Sequence, residues 1–167
     1  MISRRVLLTG ASGVAALAAL RWTDGPGAAV AGTFEVEKSD ADWRRQLTAA
    51  QYEVLRQHGT ERPFSSALDH EKRKGVFACA GCDLPLFSSE TKFDSGTGWP
   101  SFYQPLTDAV VTSEDRSFFM KRTEVNCRRC GGHLGHVFED GPKPTGLRYC
   151  MNGVALKFTP APATGPA

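Results

Sequence analysis

Five cysteines lie in the 167 residues, and their spacing sorts them into two kinds. Cys79-Ala80-Gly81-Cys82 and Cys127-Arg128-Arg129-Cys130 are matched C-x-x-C pairs. Each can form a tight knuckle that aims two thiolates at one point. Two knuckles complete the tetrahedral sulfur shell that zinc prefers. Gly81 inside the first pair and Gly131-Gly132 after the second suit such turns. The expected cofactor is a structural Zn2+ held by Cys79, Cys82, Cys127 and Cys130. The gap between the pairs is wide, so the ion would clip distant segments together and contribute to folding. Two disulfides, or one redox-active C-x-x-C, would use the same residues differently.

Cys150 is left over. It sits in the segment 146–152 (GLRYCMN), an apparent strand on which Arg148, Cys150 and Asn152 would share a face. A cation beside a thiol favours the thiolate, the nucleophilic form. His133-Leu134-Gly135-His136 places two imidazoles around a flexible residue. A Cys with His elsewhere in the chain is a candidate nucleophile with its proton donor. Spacing alone leaves other uses open: a buried inert thiol at Cys150, and core or metal-binding histidines at 133 and 136.

The elements that position these groups are short. Seventeen Gly and ten Pro imply many turns. Hydrophobic residues at 41% and charged residues at 23% are the balance of one soluble globular domain, which excludes a disordered chain or a multi-pass membrane protein. Residues 32–39 read as a linker. Two helical pieces are expected between Asp40 and His58, with Thr48 capping the second and Gly59 ending it. Residues 60–74 read as irregular. Strand candidates follow at Val76–Ala78, Val110–Thr112, Ser117–Met120, His136–Phe138 and Ala155–Phe158. The expected fold is mainly β: a short helical N-terminal arm on a small antiparallel domain spanning 40–159, with a frayed tail at 160–167.

The first 31 residues read as a signal peptide. Arg4 and Arg5 precede an apolar run from Val6 to Leu20, too short to span a membrane, and Ala29-Val30-Ala31 offers a cleavage site. Ser3-Arg4-Arg5-Val6-Leu7-Leu8 resembles the twin-arginine export signal of bacteria, so the export machinery is an expected partner and the location extracytoplasmic or periplasmic. The segment carries three Arg and one Asp. Subtracted from 20 basic and 18 acidic residues, it leaves 17 of each. A neutral domain has no electrostatic case for nucleic acid. A monomer is expected.

Taken together, the segments 92–102 (KFDSGTGWPSF), 130–142 (CGGHLGHVFEDGP) and 144–152 (PTGLRYCMN), with 60–64 (TERPF) and both C-x-x-C pairs, resemble the methionine-R-sulfoxide reductase B family. The resemblance covers about Trp43 to Phe158. It implies two small antiparallel sheets with zinc on the side away from the active site. It makes Cys150 the nucleophile on the sulfoxide sulfur, and His133 and His136 the groups that hold and protonate the sulfoxide oxygen. Trp99, with Phe138, would line the substrate methyl site. Arg148 would raise the thiolate fraction, and Asn152 would orient the polar groups. The implied products are methionine and a Cys sulfenic acid.

One position departs from the family pattern. Many members carry a resolving Cys where this chain has Thr97. With four cysteines assigned to zinc, the sulfenic acid must be reduced by an external thiol, either thioredoxin-like or part of a membrane-linked relay. The rival readings are a non-catalytic zinc-binding interaction module and a C-x-x-C thiol–disulfide oxidoreductase.

Overall fold

A computed structural model describes residues 34–116 and 121–162. The proposed signal segment, and the strand candidate at 117–120, lie outside those residues.

The helical arm forms as its caps dictate. Ser39 accepts from the Asp42 N–H and opens α1 (Asp40–Gln46). Thr48 and Gln51 form a reciprocal capping box that opens α2 (Ala49–Gln57). The end of α2 differs from expectation. His58, not Gly59, takes the left-handed conformation, with φ 56°, while the Gly59 N–H donates to the Glu53 carbonyl. A non-glycine residue in that conformation is uncommon, and the site described below supplies a reason.

Nine short strands follow among the described residues: β1 Gly75–Cys79, β2 Pro85–Ser88, β3 Lys92–Phe93, β4 Ser101–Phe102, β5 Val110–Asp115, β6 Arg122–Cys127, β7 His133–Phe138, β8 Arg148–Met151 and β9 Leu156–Pro160. They make two sheets, as the resemblance implied. One has the order β2-β1-β9, the other β3-β4-β8-β7-β6-β5, and the pairings are antiparallel. β9 starts one residue later than expected, because Ala155 belongs to a single 3-10 turn. It also runs into the segment read as a tail: Pro160 pairs with Gly75, and the Ala161 N–H donates to Lys74.

The sheets meet through aromatic rings. Phe102 of the large sheet stacks on Phe87 at 4.4 Å and meets Phe77 edge-on at 5.0 Å, both from the small sheet. All three are fully buried, each contributing about 1.5–3 kcal/mol. The helical arm covers the C-x-x-C knuckles. Trp43 and Leu55 pack beside Gly81, and Gln46 and Arg56 donate to the carbonyls of Gly81 and Cys130. The described part of the expected linker docks there too. The Val36 N–H donates to the Arg129 carbonyl, and Phe34 lies so close to Gly131, at φ 67°, that a Cβ there would come within 2.4 Å of its ring. Apolar Phe34 and Val36 supply the burial that a polar linker would lack. Among the described residues no helix is long and apolar enough to cross a membrane.

Candidate active site and metal centre

Four sulfurs converge where β1 and β6 end. Cys79 and Cys127 close these strands, and the turns after them bring in Cys82 and Cys130. The close contacts cross between knuckles: Cys79 Sγ lies 3.7 Å from Cys130 Sγ, and Cys82 Sγ 3.5 Å from Cys127 Sγ. A tetrahedron with Zn–S bonds of ~2.3 Å has edges of about 3.8 Å, so the sulfurs already have the spacing zinc requires. A disulfide needs about 2.05 Å, and all five cysteines are free. The cluster therefore fits a metal and does not fit two disulfides.

The catalytic candidates gather on one face of the large sheet. On β8, Arg148 and Cys150 alternate with Tyr149 and Met151, and Met151 is fully buried in the core. Cys150 pairs with His136 of β7 on one side and Ser101 of β4 on the other. His133 and His136 are three residues apart, which on a regular strand would put them on opposite faces. A bulge solves this. Val125 of β6 pairs with Gly135 and Asn126 with His133, so Leu134 is the extra residue. The imidazole centroids end 5.4 Å apart. Gly135 is needed here, because its φ is 156° and a Cβ would meet the Cys150 carbonyl oxygen at 2.1 Å.

Each imidazole has a carboxylate behind it. His136 Nε2 lies 2.8 Å from Asp115 Oδ2, which also accepts from Arg122 at 2.7 Å. Burial pushes the His136 pKa below its usual value, partly opposed by Asp115. His133 Nδ1 lies 2.5 Å from Glu124 Oε1, and His58 Nδ1 approaches the same oxygen at 2.6 Å. Burial raises the Glu124 pKa, but the hydrogen bonds from His133 and His58 outweigh it and hold the carboxyl well below the carboxylate range. His58 is raised in turn, chiefly by its bond to Glu124. These three groups have a metal-like composition. Their spacing is that of hydrogen bonds, whereas two ligands of one tetrahedral ion with ~2.0 Å bonds sit about 3.3 Å apart. His133 Nε2 is buried and has no hydrogen-bond partner among the described residues.

The other sequence-derived candidates surround Cys150. Arg148 forms a two-pronged pair with Asp140 at 2.8 and 2.7 Å, stacks over Phe138 at 4.4 Å and shares the Cys150 face of β8. Thr97 Oγ1 lies 3.7 Å from Cys150 Sγ. The Trp99 indole N–H donates to the Glu61 carbonyl at 3.1 Å, which fixes its plane. Asn152 lies past the end of β8 and is buried. Its side chain accepts from the Glu61 N–H and donates to the Leu134 carbonyl, bracing the Trp99 support against the β7 bulge. Glu61 in turn binds the N–H groups of Gly153 and Val154. Sequence reasoning missed Glu124, Asp115 and His58. Only the alternation of polar residues on β5 and β6 hinted at the carboxylates.

Fold and site together define a cysteine-clipped, two-sheet β domain with one non-ligand thiol facing paired histidines and an arginine. The SelR domain model matches residues 47–160, which contain every residue of this site, and the chain belongs to that family. It is 61% identical over 132 residues to a protein of Methanosarcina mazei named peptide methionine sulfoxide reductase MsrB, covering 78% of this chain and 94% of that one. Proteins of the same name from Leptospira interrogans and Agrobacterium fabrum are 59% and 58% identical. These alignments cover 75% of this chain, and 96% and 94% of the respective relatives.

Proposed function

We propose that this chain reduces the R epimer of methionine sulfoxide, free or within proteins, to methionine. The observation that carries the reading is the register: the bulge at Leu134–Gly135 sets the His133 imidazole beside that of His136, the cross-strand partner of Cys150, with Arg148 on the Cys150 face of β8. The buried, unpartnered His133 Nε2 is where a sulfoxide oxygen would be held. Cys150 attacks the sulfoxide sulfur as thiolate, the nucleophilic form of the thiol. The imidazoles protonate the departing oxygen, a contribution of roughly 10²–10⁴-fold from a positioned acid. The net change is oxygen transfer from one sulfur to the other. Methionine sulfur gains two electrons, and Cys150 loses two to become a sulfenic acid. Two equivalents of external thiol then restore Cys150, releasing water and a disulfide. Trp99, held by Glu61, forms the wall that selects the epimer. Zinc, bound by the four knuckle cysteines, is structural.

Single-turnover reduction of separated R and S epimers, with Cys150→Ser as control, tests this. Methionine should form from the R epimer alone and only with Cys150 present. Equal reduction of both epimers would refute the assigned stereochemistry, and turnover by Cys150→Ser would refute the nucleophile. The same reading places the protein outside the cytoplasm through the twin-arginine route, on the strength of Arg4, Arg5 and the apolar run after them. Replacing both arginines by Lys should leave the precursor in the cytoplasm, and unchanged export would exclude the route.

A further inference from the structure

Three hydroxyls form a chain that ends on the reacting sulfur. Ser101 Oγ donates to the Trp99 carbonyl at 3.1 Å. Ser95 Oγ lies 2.7 Å from Ser101 Oγ and 2.8 Å from Thr97 Oγ1, and Thr97 Oγ1 lies 3.7 Å from Cys150 Sγ. The Thr97 N–H also leans on Ser95 Oγ at 3.4 Å. A hydroxyl has one proton to donate, so the direction of the chain can be counted. When Cys150 is a thiol, S–H donates to Thr97, Thr97 to Ser95, Ser95 to Ser101, and Ser101 to the Trp99 carbonyl. When Cys150 is a thiolate, the chain reverses: Thr97 donates to sulfur, Ser95 to Thr97, Ser101 to Ser95, and the Trp99 carbonyl is released. Every hydroxyl proton is used in both states. The change requires only rotation of three O–H bonds.

Resting on the reductase reading of this site, we propose that Thr97, backed by Ser95 and Ser101, is a positioning group for the nucleophile that donates its hydroxyl proton to the Cys150 thiolate. Hydrogen bonds to an ionised acceptor are the stronger kind, so the reversed chain favours the attacking form over the resting thiol. It also holds the sulfur in line, because Thr97 is itself anchored from behind by Ser95. Thr97 thus does more than lack a resolving sulfur. The ionic groups around Cys150 come from other elements: Arg148 on β8 with Asp140, His136 with Asp115 and Arg122, and His133 with Glu124. In the segment 94–102 the one charged residue is Asp94, which accepts from the Gly96 N–H. A hydroxyl effect can therefore be separated from these charges by a substitution that leaves all of them in place.

The test is the pH profile of Cys150 alkylation by iodoacetamide in the zinc-loaded protein, followed by peptide mass analysis and run beside single-turnover reduction of the R epimer. Thr97→Val keeps the shape and removes the proton. Its alkylation at pH 7 should fall roughly three- to tenfold while the high-pH plateau is unchanged, since a one-unit rise in thiol pKa is tenfold in thiolate below the titration. Thr97→Ser should restore the native profile, and Ser95→Ala should give a smaller shift of the same sign. An unchanged profile in Thr97→Val, or equal impairment in Thr97→Val and Thr97→Ser at unchanged melting temperature, would overturn the proposal. The alkylation profile needs no substrate, so a failure of the reductase reading would appear separately, as absence of methionine from the unmodified protein.

Discussion

The reaction should stop after one turnover when no reductant is present. The perturbation is excess methionine R-sulfoxide given to the zinc-loaded protein without added thiol. The magnitude follows from where the sulfurs are. Four of the five cysteines lie within 4.8 Å of one another in the metal cluster, and Cys79, Cys127 and Cys130 are at most 3% exposed. Thr97, whose hydroxyl lies 3.7 Å from Cys150 Sγ, cannot form a disulfide. Each chain should therefore yield about one methionine, lose one reactive thiol and gain about 16 Da at Cys150, the mass of the sulfenic oxygen. Dimedone should trap that species, and zinc should stay bound. An internal disulfide would cost two thiols and about 2 Da, and would release the metal, because its second sulfur must leave the cluster. Zinc release measured alongside methionine, with thiols lost in pairs, would refute the accounting. Thr97→Cys sharpens the comparison. A sulfur near the present Oγ1 position, 3.7 Å from Cys150 Sγ, must approach by less than 2 Å to bond at ~2.05 Å. That variant should end as a disulfide and be recycled faster by thioredoxin-type donors.

Cys130→Ser should release zinc and lower the melting temperature sharply, since structural zinc is worth roughly 10 kcal/mol or more of folding free energy; a metal-free variant that melts normally and keeps its activity would contradict this. Gly135→Ala should destabilise by about 1–3 kcal/mol through overpacking against the Cys150 carbonyl and slow single-turnover reduction at least tenfold, and unchanged kinetics would show that the bulge does not set the site. Glu124→Gln should cost about 1–3 kcal/mol in denaturant melts, because it weakens the partner of buried His133. Its pH dependence follows from the two shifts. Glu124 is depressed, so its contribution is present above the unfolded value near ~4.3 and is lost as pH falls through the folded value. His58 is raised, so its contribution is full below ~6.5 and is lost as pH rises through its folded value. The gap between native and variant should be widest between about pH 4.5 and 6.5, shrinking only slightly above because the His58 side chain is 64% exposed. A gap that grows steadily above pH 7 would refute the shared-carboxylate account.

The candidate metal-binding and catalytic residues were readable because their types and spacings are local. Two C-x-x-C pairs, one odd cysteine and two histidines bracketing a glycine stand out within single segments. The helix caps at Ser39 and Thr48 are local in the same sense. What supports those groups was not readable, for a physical reason. Glu124 sits in Arg122–Cys127, where charged and apolar residues alternate as on a solvent-facing strand. Its carboxylate is met by His58 from the end of α2 and by His133 from β7, 66 and 9 residues away in sequence. His58 itself looks like an ordinary helix end. The bulge at Leu134 is a fact of register between two strands, and neither strand shows it alone. Phe34 and Val36 were hidden by their polar neighbours Glu35, Glu37 and Lys38.

The four-cysteine cluster and the candidate active site are joined through the same turns and strands. The Cys127–Cys130 knuckle is the turn that joins β6 to β7, closed by Cys127 N–H to the Gly132 carbonyl and by Gly131 N–H to the Cys127 carbonyl. His133 is the next residue after Gly132, and its partner Glu124 lies three residues before Cys127 on the opposite strand. A slip of one residue in this hairpin would turn His133 away from Glu124 and abolish the bulge that brings it beside His136. The Cys79–Cys82 knuckle works on the other end of the site. The Ala80 N–H donates to the Ala155 carbonyl, and Ala155 closes the turn that follows Asn152, the brace for Glu61 and Trp99. The two knuckles therefore connect the four-cysteine cluster to the His133–Glu124 pair on one side and to the Asn152–Glu61–Trp99 hydrogen bonds on the other. The strands at the site are two to six residues long, so the closed turns at the two knuckles add constraint to a register that strand pairing sets.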